Sequence, residues 1–214
     1  MFKRRLFLNN LQEMYASMYP LEETYNLILN PIEKPTSFHA DIDSIKPLRA
    51  KRLVFIGRFA TVKNPKLFIS ICAKFLIPGL MIGDGPLRNE CLRYNESTGA
   101  NVSFMGFLDN PWTLVEEGDL LLIPSVMEGD GRVLAEAMVR NIPVLVSDIP
   151  SFREYCLPTV CYVSDFSSID NSVFENIGIF QCGIEKTELI VKVRDPENIL
   201  RDWESLIQQH LKDK

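Results

Sequence analysis

The sequence has few of the groups that hold metals or crosslinks. Its five cysteines, Cys72, Cys91, Cys156, Cys161 and Cys182, are odd in number and lack CxxC spacing, and its two histidines, His39 and His210, flank no cluster. A metal site and a disulfide framework are therefore not expected, and the thiols read as buried and free in a reducing cytosol. No Ser/His/Asp or Cys/His set stands out for nucleophilic catalysis. Long apolar runs are missing too: Leu67-Phe68-Ile69 and Leu120-Leu121-Leu122-Ile123 stop well short of the roughly 20 residues a membrane-spanning helix needs. Near the start, Lys3, Arg4 and Arg5 precede Leu6-Phe7-Leu8, but Asn9 and Asn10 break the run before a secretory signal can form, so export is not expected. Nor is there excess positive charge. With 23 basic against 28 acidic residues the net charge is -5, so the whole molecule does not attract nucleic acid or anionic lipid. Only a local basic site can hold a phosphate.

What remains is ordinary globular material: 214 residues, 46% hydrophobic and 24% charged, without an internal repeat. That suits one α/β domain with an appendage and excludes a disordered or low-complexity chain. Leu6, Phe7, Leu11, Met14, Tyr15 and Met18 follow near-helical spacing over 5–18, and Pro20 ends the pattern. A short strand over 25–29 is followed by a polar linker punctuated by Pro31, Pro35 and Pro47. From residue 52 short β-rich runs alternate with helix-length segments, as in a parallel sheet with crossover helices. Strands are expected at 53–56, 80–82, 102–105, 120–123, 144–146 and 160–163, and helices at about 65–76, 86–95, 111–117, 132–140 and 151–156. Strands built from Leu, Ile, Val and Phe leave no solvent face, so both sheet faces should be covered. The expectation is a doubly wound, mainly parallel Rossmann-like sheet whose ligand lies beyond the strands' carboxyl ends, where strand order reverses. Asp195 can cap, and Pro196 can open, a final helix bearing Ile199, Leu200, Trp203, Leu206, Ile207 and Leu211.

Three loops carry chemistry. Gly57-Arg58 ends the first strand and Lys63 follows shortly after, so two cations can converge on a polyanion such as a diphosphate; taken alone, solvated surface charges are the plainer reading. Gly83-Asp84-Gly85-Pro86 is only a fragment of a dinucleotide fingerprint, because Arg88 takes the place of the last glycine, and a structural turn with Pro86 in a helix's first turn is the plainer reading. Richest is the stretch from Pro124-Ser125 through Glu128-Gly129-Asp130-Gly131-Arg132-Val133 to Glu136. Amides at a helix start near 131–133 can receive phosphate oxygens, and carboxylates beside them can accept from sugar hydroxyls. Read alone, Glu128 is equally an acid favouring the helix dipole, and Glu136 a solvated helix residue.

In order, Gly57-Arg58…Lys63, Ile82-Gly83-Asp84-Gly85-Pro86, Val102-Ser103-Phe104-Met105-Gly106, Pro124-Ser125, Glu128…Glu136 and Asn141-Ile142-Pro143-Val144-Leu145-Val146-Ser147-Asp148 resemble the carboxyl-terminal, nucleotide-sugar-binding half of GT-B glycosyltransferases of family 4, the group 1 glycosyltransferases. The resemblance spans about residues 52–165. It implies that Arg58 and Lys63 neutralise the donor diphosphate as the sugar departs, that Glu128 holds donor-sugar hydroxyls, and that Glu136 holds the ribose. Arg58, Lys63 and Glu128 are thereby the catalytic candidates. Gly57 and the backbone of Gly131, Arg132 and Val133 complete the donor contacts, with Phe107 or Leu108 at the base. It further implies retention of anomeric configuration, a nucleoside-diphosphate sugar as donor, and no metal or cofactor. The acceptor would be a saccharide or a lipid-linked glycan, the location cytoplasmic, with peripheral association at the inner membrane face.

Against that family, Asp130 stands where an aromatic residue is usual, placing a negative charge near the intended diphosphate; Arg132 can offset it as an adjacent charge, or Asp130 reads equally well as a helix N-terminal acid favouring the dipole. Asn141 stands for the usual glycine before the Ile-Pro turn, a mild change because Asn tolerates left-handed backbone. Residues 1–50 read as the remnant of an amino-terminal GT-B domain plus linker, with Leu29-Asn30-Pro31-Ile32 as the interdomain segment, 51–195 as the donor domain and 196–214 as a terminal helix. Neither His39 nor His210 matches the family's catalytic histidine. Transfer is therefore expected to need a separate amino-terminal domain. The alternatives are a noncatalytic nucleotide-sugar-binding subunit or an inactive remnant, and, less favoured, an epimerase of related architecture.

Overall fold

Apolar runs too short to be helices have become strands. The computed structural model describes residues 30–32, 48–153, 155, 162–180, 188, 190–192 and 194–212; the helix expected over 5–18 and the strand over 25–29 lie outside them. The strands are β1 (Arg52–Ile56), β2 (Gly79–Ile82), β3 (Val102–Gly106), β4 (Asp119–Ile123), β5 (Val144–Ser147) and β6 (Tyr162–Val163). All neighbours pair in parallel, in the order β3-β2-β1-β4-β5-β6. This is the doubly wound, Rossmann-like α/β sheet. The central strands β2, β4 and β5 are buried at every residue. β3 departs from the expected full cover: as an edge strand it alternates, with Ser103 exposed and Met105 46% exposed. At the opposite end of the strands, Arg52 donates to both carboxylate oxygens of buried Asp119, at 2.9 and 2.6 Å, pinning β1 to β4 in register.

Helix α1 (Pro65–Phe75) buries Phe68, Ile69, Ile71 and Cys72 against the sheet. Helix α2 (Arg88–Thr98) is mostly polar and docks through Lys66–Glu90 at 2.6 Å and Ser70–Tyr94 at 2.9 Å. It begins two residues later than expected, because Pro86 and Leu87 form a turn instead of its first turn. The expected helix at 111–117 is a single 3-10 turn, Pro111–Leu114: the Asn110 side chain accepts from the Trp112 amide at one end and Val115 turns extended at the other. Helix α3 (Arg132–Met138) stops at Val139, and Asn141 takes the left-handed conformation (φ 54°) its side chain tolerates. Short helices α4 (Pro150–Arg153) and α5 (Ser172–Glu175) follow. The last, α6 (Pro196–Lys212), begins where the sequence places it, with the Asp195 carboxylate accepting from the Glu197 amide at 3.0 Å. Ile199 is buried, whereas Leu200, Trp203, Ile207 and Leu211 stay exposed along one face.

Among the described residues no helix is long and apolar enough to cross a membrane, and no cluster of His, Cys, Asp and Glu can hold a metal. Cys72 and Cys91 are free and buried, and burial pushes the Cys72 thiol up to about 12; Cys156, Cys161 and Cys182 lie outside the described residues.

Candidate functional site

Strand order reverses between β1 and β4, so the loops after these strands part and leave a crevice at the carboxyl edge. Three neighbouring loops are laced together there. Gly57 donates to the Ile82 carbonyl at 3.0 Å, Gly83 to that of Gly106 at 2.7 Å, and Phe59 to that of Asp84 at 2.9 Å. Gly83 (φ 136°) sits so close that a Cβ would fall 2.0 Å from the Gly57 carbonyl oxygen, so this glycine serves backbone approach.

Across the crevice, Val126 donates to the Val62 carbonyl at 2.9 Å and ties the β4 loop to the β1 loop. Lys63, in the turn Thr61–Lys63, forms an ion pair with Glu128, and buried Ser125 donates to the same carboxylate oxygen at 2.9 Å. The Lys63 side chain is 27% exposed and that of Glu128 11%. They line a cavity of about 240 Å³ together with Asn30, Asp130, Gly131 and Arg132, and Val133 belongs to the same wall. Gly131 (φ 60°) turns the chain into α3, with Phe152 packed where a side chain would stand. Since α3 has only seven residues, the positive potential at its start comes from the nearby amides more than from a long dipole.

A second cavity, of about 510 Å³, adjoins along Arg132 and is lined also by Pro31, Asp109, Trp112, Glu136 and Arg140. Glu136 accepts from the Trp112 indole at 3.1 Å and from Arg132 at 3.3 Å, and the Arg140 guanidinium lies 4.8 Å from the Trp112 ring centroid. The fold thus assembles Lys63, Glu128, Gly131, Arg132, Val133 and Glu136 along one connected surface. Gly57, Arg58, Phe107 and Leu108 line neither cavity. Arg58 is exposed, Phe107 is 74% exposed and Leu108 half-buried.

Asp130 has a partner that the sequence reading did not name: it is offset chiefly by Arg194, which is 1% exposed and grips both carboxylate oxygens, while Arg132 adds only a nearby positive charge and forms its ion pair with Glu136. Burial pushes the Asp130 carboxyl up, but the hydrogen bonds from Arg194 and Asn30 and the nearby positive charges outweigh it and hold the group below the usual carboxylate range. Arg194, Asn30, Tyr155, Trp112 and Arg140 are the site residues that sequence reasoning missed. Arg140 was findable, four residues past Glu136 in the turn that ends α3, where its side chain donates to the Glu136 carbonyl at 2.9 Å. Arg194 was not, since it stands 64 residues from its partner with no local pattern.

Comparison with known proteins supplies the family. The model of the family described as Glycosyl transferases group 1 matches residues 40–173. The chain is 29% identical over 121 residues to the Escherichia coli UDP-Gal:alpha-D-GlcNAc-diphosphoundecaprenol alpha-1,3-galactosyltransferase, covering 50% of this chain and 31% of that protein. It is 33% identical over 123 residues to the Campylobacter jejuni GalNAc-alpha-(1->4)-GalNAc-alpha-(1->3)-diNAcBac-PP-undecaprenol alpha-1,4-N-acetyl-D-galactosaminyltransferase, covering 52% and 32%. In fold it is similar to the apo lipopolysaccharide outer core galactosyltransferase WaaB, with a TM-score of 0.66 at 20% identity over 95% of this chain and 61% of that one. The chain therefore spans only about a third of the length of these two curated relatives.

Proposed function

Because the chain belongs to the glycosyl transferases group 1 family, we propose that it is the donor-binding half of a retaining GT-B glycosyltransferase of family 4, which transfers a sugar from a nucleoside diphosphate to a saccharide or lipid-linked acceptor. The observation that carries this reading is the Lys63–Glu128 pair, set by the two loops that flank the switch point and lining one cavity with Gly131 and Arg132. In the free chain these charges satisfy each other. A donor replaces both halves of that bargain: its phosphate oxygens take Lys63, and its sugar hydroxyls donate to Glu128. When the glycosidic carbon–oxygen bond breaks, negative charge grows on the departing diphosphate, where Lys63 and Arg58 stabilise it. Glu136 takes the ribose hydroxyls in the adjoining cavity, the amides of Gly131, Arg132 and Val133 take phosphate oxygens, and the backbone at Phe107 or Leu108 takes the base. The reaction so drawn uses no metal or cofactor. Two matched relatives carry undecaprenol-linked glycans in their names, which supports a lipid-linked acceptor; we place its meeting with this chain on the cytoplasmic side, at the membrane face. An amino-terminal GT-B domain completes the acceptor side.

The test is calorimetric titration of the 214-residue chain with UDP-, GDP- and ADP-sugars. Saturable binding of one class, weakened in Lys63→Ala, is the expected result. Equal affinity in folded Lys63→Ala removes the pair from the donor site.

A further inference from the structure

Asp130 lies on the wall of the same cavity as Lys63, Glu128 and Gly131, an awkward place for a carboxylate beside an anionic ligand. Its surroundings answer the difficulty. One oxygen accepts from Arg194 at 2.9 Å and from the Asn30 amide at 2.7 Å, and the other accepts from the second Arg194 nitrogen. Arg194 also donates to the Tyr155 hydroxyl at 2.6 Å, and that hydroxyl donates to the Asp130 backbone carbonyl at 2.6 Å. Behind this, Arg194 donates to the Asn30 carbonyl at 3.2 Å and accepts from the Ile32 amide at 2.9 Å. The guanidinium is 1% exposed. Burying such a pair costs desolvation that its mutual attraction rarely exceeds, so stability alone is a poor reason for it. A two-pronged arginine contact does fix both the charge and the direction of a carboxylate.

We propose that Arg194 is a positioning residue of the donor site: it cancels the Asp130 charge on the cavity wall and fixes the loop that carries Glu128 and Gly131. The inference rests on the donor reading above. It assigns a role to a residue 64 positions away in the chain, just ahead of α6. It also says how an acid is accommodated in the middle of the Glu128–Gly131 turn. Without Arg194, the Asp130 carboxylate repels a ligand in proportion to that ligand's negative charge.

The experiment is a double-substitution cycle read by titration with ligands of graded charge. UDP, GDP and ADP are titrated into the unsubstituted chain, and the tightest binder is compared with its monophosphate and its nucleoside. In Arg194→Met the diphosphate is expected to lose at least about tenfold in affinity, the monophosphate less, and the nucleoside no more than about threefold. Adding Asp130→Asn to Arg194→Met should bring the diphosphate back to within about threefold of the starting affinity, because the repelling charge is gone. Equal losses for all three ligands, or no recovery in the double variant, overturn the inference, since a merely structural strut behaves that way. Should Arg194→Met fail to fold, Arg194→Lys carries the test: it keeps one charge without the two-pronged contact, and the same ordering of losses is expected at smaller size. An unsubstituted chain that binds none of the diphosphates overturns the donor reading and this inference with it. One that binds, beside variants that lose evenly, overturns this inference alone.

Discussion

Lys63 and Glu128 sit on loops that follow different strands, and because each is the other's partner, removing one changes what the other can do. Lys63→Ala should weaken nucleoside-diphosphate-sugar binding by about 1.5–3 kcal/mol, the cost of a lost charge-assisted contact, whereas Arg58→Ala, exposed and outside both cavities, should lose less. Titration of the two folded variants checks the order, and a larger loss in Arg58→Ala contradicts the placement. Glu128→Gln should act differently again. The amide no longer holds Lys63 as an ion pair, so the plain nucleoside diphosphate binds at least as well, while preference among donor sugars collapses. Glu136→Gln, by contrast, should weaken nucleotide and nucleotide sugar together, since both carry the ribose. A panel of nucleotides and sugars separates the two glutamates, and uniform losses in Glu128→Gln refute its sugar role. Asp130 adds a pH signature. Its carboxyl titrates below the ordinary range in the folded chain, so the folded state holds fewer protons there than the unfolded one as the pH falls. The pair therefore stabilises fully above the unfolded carboxyl value near about pH 4 and loses that contribution on further acidification. Asp130→Asn should flatten the acid limb of stability against pH, measured by urea unfolding at several pH values. An unchanged limb rules this linkage out.

Elements show which physics is local and which is not. The β1, β2, β4 and β5 runs declare themselves in sequence because a buried parallel strand is uniformly apolar, and α1 and α6 because proline and a preceding polar residue mark their first turns. The 111–117 segment misleads because Asn110 and Pro111 open a helical turn that the extended Val115 ends at once. β3 misleads at Ser103 and Met105 because its edge position, invisible in the run itself, leaves one side open. Within the candidate site, Lys63, Glu128 and Gly131 were legible since loops after strands at a switch point are where ligands bind. Arg194 was hidden because its partner is fixed by tertiary packing alone. The glycine after β2 offers an element-scale test. A Cβ at Gly83 meets the Gly57 backbone oxygen at 2.0 Å, so Gly83→Ala must push the β1 and β2 loops apart. Its Tm should fall by about 5 °C or more, with Lys63 displaced and donor affinity reduced. A variant that melts normally shows that the loops can part without cost.

At the scale of the whole molecule, the groups that line the two cavities can neutralise a diphosphate and hold hydroxyls, which is one side of a transfer reaction. The ionisable side chains among those described are Lys63, Asp109, Glu128, Asp130, Arg132, Glu136 and Arg140, and the donor reading uses Lys63, Glu128 and Glu136 directly and ties up Asp130. Transfer also needs an acceptor hydroxyl held against the sugar carbon and water kept out, gains that come from enclosure by a second surface. In the two matched transferases about two thirds of the length lies outside the region shared with this chain. Exposed Leu200, Trp203, Ile207 and Leu211 form an apolar stripe along α6, a surface that such enclosure could cover. The 214-residue chain alone is therefore expected to bind a nucleotide sugar but to transfer it far more slowly than the ordinary range, on the order of 1–1000 per second. Supplying an amino-terminal GT-B domain from a matched relative should raise the rate without changing which donor binds. A radiolabelled-sugar assay against undecaprenol-linked acceptors, with and without that domain, measures both. Full turnover by a verified monomer would mean that the acceptor site and the remaining catalytic groups lie within this chain, and the search for them would begin at the wall formed by Trp112, Arg140 and Pro196.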